Sequence, residues 1–236
     1  MMSGHKVVSR EAWLAARKEH LAQEKAFTRQ RDELSQARRD LPWVKVEEDY
    51  VFDSLDGPQS LGALFGDKSQ LIVQHFMYGP DWEEGCPSCS FWADGFDGFV
   101  VHLAHRDVTM IAVSRAPVPV LEAYKKRMGW HFDWVSSLGN NFNQDYGVTF
   151  SEEEIAAGQV NYNYKMRSFP VGEAPGISVF YKDETGDIFH TYSCYSRGLD
   201  MMNAAYHYLD LVPKGRDEDD DPYGMAWLKR HDQYES

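Results

Sequence analysis

The sequence predicts an α/β fold in which a mixed central β-sheet is flanked by helices and preceded by one long helix. Three observations carry this expectation. Two nearly continuous apolar runs of strand length, at 70–78 and 108–116, are each followed by a segment of helical composition. Two further strand-like runs flank a turn at 183–186. Residues 9–40 contain neither Gly nor Pro. At 236 residues and 43% hydrophobic content the chain can bury a substantial core.

The elements follow in order. Ser9 is a suitable N-cap, and the stretch after it is rich in Ala, Leu, Glu, Lys, Arg and Gln, so one helix is expected up to about Asp40, before Pro42. Its apolar positions, Trp13, Leu14, Leu21, Phe27 and Leu34, form a narrow stripe suited to docking on the main domain or on another subunit. Next, "WVKVEEDYVFDSLDGPQSLGALF" suggests two short strands, a turn at Asp56-Gly57 and a helical segment from Ser60. "QLIVQHFMY" is the first buried strand. "SFWADGFDGFVVHLAH" is compatible with a helix despite two glycines, and "VTMIAVSRA" is the second buried strand. In "PVPVLEAYKKRMG" the prolines fit the first turn of a second helix.

Residues 132–176 are too long for a structureless loop and read as an insertion, with a strand at Asp133–Ser136 and a short helix near 151–157. "ISVFYKDETGDIFHTYS" then gives a β-hairpin, and "LDMMNAAYHYLDLV" gives a last amphipathic helix closed by Pro213 and Gly215. The order β-α-β-α, hairpin, α is the thioredoxin arrangement. The expected organisation is a helical extension at 1–42, a thioredoxin-like domain at 43–215 and a tail at 216–236 packed on that domain.

Charge and composition narrow the function. With 24 basic and 37 acidic residues the formal charge is −13, so the surface field repels phosphate backbones and anionic lipid headgroups. Nucleic acid is not an expected partner. No apolar run approaches the roughly 20 residues that cross a bilayer, and "MMSGHKVVSREAW" lacks the apolar core of a secretory signal. The expected compartment is the cytoplasm, with no membrane partner. Three cysteines in so long a chain do not make a disulfide scaffold, and a close pair in a reducing compartment points to redox, regulatory or metal chemistry.

The close pair is Cys86-Pro-Ser-Cys89, between the first buried strand and a helix-compatible segment. At a helix start the first sulfur lies near unpaired backbone N–H groups and the positive end of the helix dipole, which favour its thiolate. The second lies within reach to resolve a mixed disulfide. Pro87 suits the first helical position. Glu83 and Glu84 oppose a further negative charge, and no Lys or Arg is near in sequence, so only a moderate depression of the Cys86 pKa is expected. Two other readings stand beside this one. Cys86-x2-Cys89-x12-His102-x2-His105 nearly matches a zinc-finger spacing, but its last gap is one residue short and a long strand leads into it. The pair also reads as two inert buried thiols. The expectation adopted is no metal and no cofactor.

Around the pair, Tyr78, Trp82, Phe91 and Trp92 make the loop aromatic. Phe91 and Trp92 fit a helix packed in the core, whereas Trp82 and Tyr78 are candidates for a substrate-facing platform. Pro175 is the nearest candidate for the cis-proline that thioredoxin-like sites place opposite the cysteines, although it lies about a residue from the usual position. Cys194 reads as a small buried hydrophobe or a third redox thiol. His75 and His190 read as core histidines or as proton acceptors near the site. Arg197 reads as an anion attractor or as the partner of a surface carboxylate. The acidic run "GRDEDDDP" lacks calcium-loop spacing and reads as a solvated turn.

The segments "LPWVKVEEDYVFD", "FMYGPDWEEGCPSCSFWADGFDG", "LAHRDVTMIAVSRAP", "MGWHFDWVSS", "SVFYKDETGDIFHTYS", "RGLDMMNAAYHYLDLVPKGRDED" and "MAWLKRHDQY" resemble a bacterial thioredoxin-like family catalogued as a domain of unknown function. Its members are described as predicted dithiol–disulfide oxidoreductases. The resemblance runs from the N-terminal helix to the tail. It implies a thioredoxin-like fold and a redox role for Cys86 and Cys89. The first functional reading is therefore a thiol–disulfide oxidoreductase in which Cys86 attacks and Cys89 resolves, acting on a protein or small-molecule thiol or disulfide. The alternatives are a thiol peroxidase of peroxiredoxin type, weakened because "PDWEEGC" lacks a Thr and Arg environment, and a non-catalytic assembly module. A homo-oligomer is expected from the narrow stripe of the N-terminal helix.

Overall fold

The computed structural model describes residues 4–235, and the chain divides after Pro42 into two compact units. In the first unit α1 (Arg10–Arg39) starts where the sequence places it: the Ser9 hydroxyl accepts the Ala12 N–H at 3.3 Å. Glu11 in its first turn and Arg38 and Arg39 in its last complement the helix dipole. None of its residues is buried.

The second unit is built on a six-stranded sheet and has the thioredoxin-like α/β fold. Its strands are β1 (Val44–Lys45), β4 (Gln70–His75), β5 (Val108–Ser114), β6 (Asp133–Ser136), β9 (Gly176–Lys182) and β10 (Ile188–Tyr195), ordered β1-β10-β9-β4-β5-β6. β4, β5 and β6 run parallel, and β9 joins β4 antiparallel, with Val73 opposite Ile111 on one side and Ser178 on the other. A strand flanked on both edges and covered on both faces must be apolar along its length, which explains "QLIVQHF" and "VTMIAV". Val73 and Ile111 face a cluster with Phe52, Leu64, Phe65 and Phe142 on one side of the sheet. Phe76 and Ala112 face a second cluster with Tyr124, Trp130 and Trp134 on the other.

The helix predicted after the cysteines forms in three pieces: α2 (Pro87–Phe96), a 3-10 turn at Asp97–Phe99 and α3 (Val100–Ala104). The break lies between Gly95 and Gly98, the weakest helix formers in the stretch. There the Asp97 carboxylate accepts the N–H groups of His131 and Phe132 at 2.7 and 3.0 Å. α4 (Val118–Met128) follows β5 and closes at Gly129, whose φ of 67° is the left-handed C-cap conformation. On the opposite face lie the small hairpin of β2 (Val51–Phe52) and β3 (Gln59–Ser60) and the 3-10 turn Ala63–Phe65. The region 43–65 thus holds three two-residue strands rather than two, the first of which extends the main sheet against β10.

The insertion is ordered. Its first strand, β6, is an edge of the main sheet rather than a separate feature. α5 (Phe142–Asp145) and α6 (Glu152–Ala156) follow, the latter with Ser151 and Glu154 in a reciprocal capping box. β7 (Val160–Tyr162) and β8 (Lys165–Arg167) form a hairpin not expected from the sequence, whose two turn residues, Asn163 and Tyr164, both have positive φ. The last predicted helix is also divided. A 3-10 segment Ser196–Met202 precedes α7 (Ala204–Leu209), because Asn203 caps α7 by accepting the Tyr206 N–H at 3.1 Å. Among the described residues no helix is long and apolar enough to cross a membrane.

Candidate active site

Strand β4 ends at His75, and the loop after it returns to set Cys86 as the N-cap of α2, with Pro87 at the first turn. The chain is tied back to the strand end in two places. The Cys86 N–H donates to the Met77 carbonyl at 3.1 Å, and the Met77 N–H donates to the Cys89 sulfur at 3.4 Å. The Cys86 carbonyl accepts both the N–H and the hydroxyl of Ser90, at 3.0 and 2.9 Å. The Ser90 hydroxyl in turn pairs with the Tyr124 hydroxyl of α4 at 2.9 Å. Both thiols are free; Cys86 is partly open and Cys89 is 3% exposed.

This geometry separates the two thiols. A hydrogen bond from Cys89 stabilises the Cys86 thiolate most, burial works against it, and the N–H groups of Cys89 and Ser88 add to the stabilisation. The Cys86 pKa falls to about 7. The same hydrogen bond, together with burial, pushes Cys89 up. Glu84, expected to oppose the thiolate, is taken by two arginines: Arg127 of α4 binds one carboxylate oxygen and Arg230 of the tail binds the other at 2.7 Å. Arg230 also donates to the Gly85 carbonyl at 2.6 and 3.1 Å and to the Tyr124 hydroxyl at 2.9 Å. The cations that local sequence lacked therefore arrive from α4 and the tail.

The other candidates are distributed unevenly. Tyr78 is 2% exposed and donates to the Glu83 carbonyl at 3.1 Å, so it supports the loop from inside and does not face a substrate. Trp82 is half-buried against the cluster that holds Cys89, with its indole over Gly79, where a Cβ would come within 2.8 Å of the ring nitrogen. Pro175 immediately precedes β9, whose first residue, Gly176, pairs with His75 at the site end of β4. Among the described residues no peptide bond is cis, so Pro175 is trans. Its carbonyl accepts the Tyr162 hydroxyl at 2.8 Å, and the charge of Cys89 acts on Tyr162. Tyr162, from the insertion, is thus a neighbour of the site that sequence reasoning missed.

Phe91 and Trp92 pack as core residues; the Trp92 indole donates to the Leu199 carbonyl at 3.0 Å, and Cys194 is buried in the same cluster. His75 lies on the other face of the sheet, against Phe142 and Tyr146. It is not on a strand adjacent to His190: β9 lies between, and a chain of hydroxyls crosses it. His75 pairs with Ser178 at 2.8 Å, Ser178 with Ser193 at 2.8 Å, and Ser193 with His190 at 2.7 Å. Burial lowers the His75 pKa to about 3. These histidines do not reach the thiols as proton acceptors. Arg197 bonds Asp200 at 2.7 Å. His102 and His105 are exposed on and beside α3, while Cys89 is buried under Met77. Among the described residues no three His, Cys, Asp or Glu side chains converge as metal ligands.

The sequence profile described as "Bacterial protein of unknown function (DUF899)" matches residues 2–234. The chain belongs to this family. No curated protein matches it. Among solved structures, the chain is similar to peroxidoxin BcpB from Mycobacterium tuberculosis, at 14% identity over 69% of this chain and 93% of that one, with a TM-score of 0.47. It is also similar to peroxiredoxin Q from Xanthomonas campestris, at 16% identity over 72% and 91% of the two chains, with a TM-score of 0.44. In this DUF899 member the Cys86-x-x-Cys89 pair stands at the start of α2 in a thioredoxin-like fold.

Proposed function

We propose that the chain is a thiol–disulfide oxidoreductase in which Cys86 attacks and Cys89 resolves. The observation that carries this reading is the placement of the two thiols at the start of α2, with Cys86 partly open as its N-cap and Cys89 buried, and with the Cys86 pKa lowered and that of Cys89 raised by their interaction. The Cys86 thiolate attacks one sulfur of a substrate disulfide, and the other sulfur leaves as a thiolate and takes up a proton. Cys89 then loses its proton and attacks the Cys86 sulfur, which releases the second substrate thiol and leaves a Cys86–Cys89 disulfide. Two electrons pass to the substrate, and an external thiol reductant restores the pair. We assign Trp82, a half-buried ring on the cluster that holds Cys89, and Pro175, immediately before β9, as substrate contacts.

A second reading, a thiol peroxidase, is favoured by the limited opening at Cys86, which suits an oxidant as small as a hydroperoxide. Cys86 would then take one peroxide oxygen as a sulfenic acid and release water or an alcohol, and Cys89 would condense with it, releasing water. Insulin reduction measured beside hydroperoxide consumption tests both readings: turnover of the first alone supports the oxidoreductase, and of the second alone the peroxidase. Activity in neither leaves the assembly role.

A further inference from the structure

We infer that Arg230, from the C-terminal tail, is a positioning residue for Cys86: it fixes the Gly85–Cys86 peptide and balances the charge of Glu84, so that the thiolate is favoured at the start of α2. This rests on the dithiol reading above and assigns a part of the site that lies far from the cysteines in sequence.

The geometry begins with Gly85. A Cβ there would come within 2.8 Å of the Phe76 ring and 3.0 Å of the Tyr124 ring, so this position is packed to the backbone. The peptide that follows is held at both ends. Its carbonyl accepts two hydrogen bonds from Arg230, and its N–H donates to the Met77 carbonyl. The orientation of that peptide sets the direction in which the Cys86 side chain leaves the backbone. The Arg230 side chain is only 14% exposed, so its charge is less screened than that of a surface arginine.

The charges of the four-residue network beside the loop cancel. Glu84 and Asp232 oppose Arg127 and Arg230, with Arg127 bonded to both carboxylates. Asp94 of α2 and His231 of the tail form a separate pair at 2.7 Å, and Glu83 adds one charge from the loop itself. Asp81 adds a second negative charge from the loop, and Cys89, Tyr78, Tyr124 and the insertion's Tyr162 are neutral hydrogen-bonding groups in the reduced protein at neutral pH. Loss of Arg230 makes this set more negative by one charge beside Cys86, which disfavours a thiolate. Loss of Glu84 makes it less negative by one and favours the thiolate.

The test is the pH profile of Cys86 alkylation in the full reduced chain, with iodoacetamide as probe and Cys89→Ser as the common background. Arg230→Met is expected to move the midpoint up by about one pH unit, Arg230→Lys by less, and Glu84→Gln to move it down. At pH 7 the rate for Arg230→Met should fall only ~2-fold, because a more basic thiolate is also a better nucleophile. Opposite shifts from two neighbouring substitutions are not produced by a general loosening of the loop. Glu84→Gln is a near-isosteric change of a half-buried side chain and reads the same balance if Arg230→Met fails to fold. Midpoints for Arg230→Met or Glu84→Gln that coincide with the background overturn the inference. A wild-type Cys86 that ionises no lower than an ordinary thiol, read by mass-spectrometric mapping of the alkylated site, counts instead against the dithiol reading.

Discussion

The sulfur of Cys89 accepts the backbone N–H of Met77 at 3.4 Å, so the second cysteine is fastened to the end of the strand while the first stands at the helix start. The two thiols are thereby unequal before any substrate arrives. Cys86 has the opening and the lowered pKa, and Cys89 has the burial.

Mixed disulfides should therefore accumulate on one variant only. Cys89→Ser keeps the attacking thiol and removes the one that resolves, so it should trap partners or glutathione, whereas Cys86→Ser should trap almost none. Non-reducing mass spectrometry of the two variants after exposure to oxidised glutathione checks this. Equal trapping would reverse or erase the assignment.

The pair also sets a pH dependence of stability in the reduced protein. Between about pH 7 and 9 the unfolded chain keeps the Cys86 proton that the folded chain has lost, so stability should rise with pH through this window. Above the ordinary thiol range the sign reverses, because folded Cys89 holds a proton that the unfolded chain releases. Urea midpoints of the wild type and of Cys86→Ser from pH 6 to 8.5 should diverge, with the wild type gaining. Parallel curves would show that Cys86 is not depressed.

At acid pH the histidine–serine chain should dominate. His75 is kept neutral by burial, with its pKa lowered to about 3, and His190 is lowered by the same cause. The unfolded chain binds protons on both through pH 6.5 while the folded chain does not, so stability is present above that pH and falls as pH drops towards 3. Replacing His75 with Gln should flatten the decline between pH 6.5 and 4.5, read as the change in urea midpoint. A wild-type midpoint constant over that range would refute the neutral assignment.

Gly85→Ala should destabilise the fold by about 1–3 kcal/mol, the usual cost of forcing a methyl into packed rings, and should slow Cys86 alkylation. Thermal melts and iodoacetamide rates report the two effects. A variant as stable and as reactive as wild type would mean that Phe76 and Tyr124 yield freely.

The apolar side chains of α1 remain exposed, Phe27 at 64% and Leu34 at 59%. We expect the full chain to be a homodimer at micromolar concentration and Leu21→Glu with Phe27→Glu to dissociate it. Multi-angle light scattering decides; a monomeric wild type removes the expectation.

Much of this architecture was legible because it depends on local patterning. Ser9 and Pro42 bounded α1, the apolar runs marked β4 and β5, and Cys86-Pro87 marked the start of α2. Side-chain competition with the backbone was harder to see. Asn203 divides the last helix, and Asp97 diverts its carboxylate to the residues before β6. The site was half legible for a related reason: the spacing of Cys86 and Cys89 is local, whereas the partners of Glu84 are brought in by tertiary contact. Tyr78 was misread because an aromatic next to a motif gives no sign of which way its ring points, and here it points into the core. The hydroxyl chain from His75 to His190 depends on the register of three strands, which alternation alone does not reveal.

The bond between Arg230 and Gly85 joins residues 145 positions apart. During synthesis the cysteine loop leaves the ribosome well before its arginine does, by about 7 to 30 s at typical elongation rates. For that interval Glu84 lacks the tail's cation, the Gly85 carbonyl lacks its donor, and Cys86 is a less ionised thiol than it becomes in the finished protein. On the inference drawn above, the ionisation of Cys86 is completed only when the tail has docked.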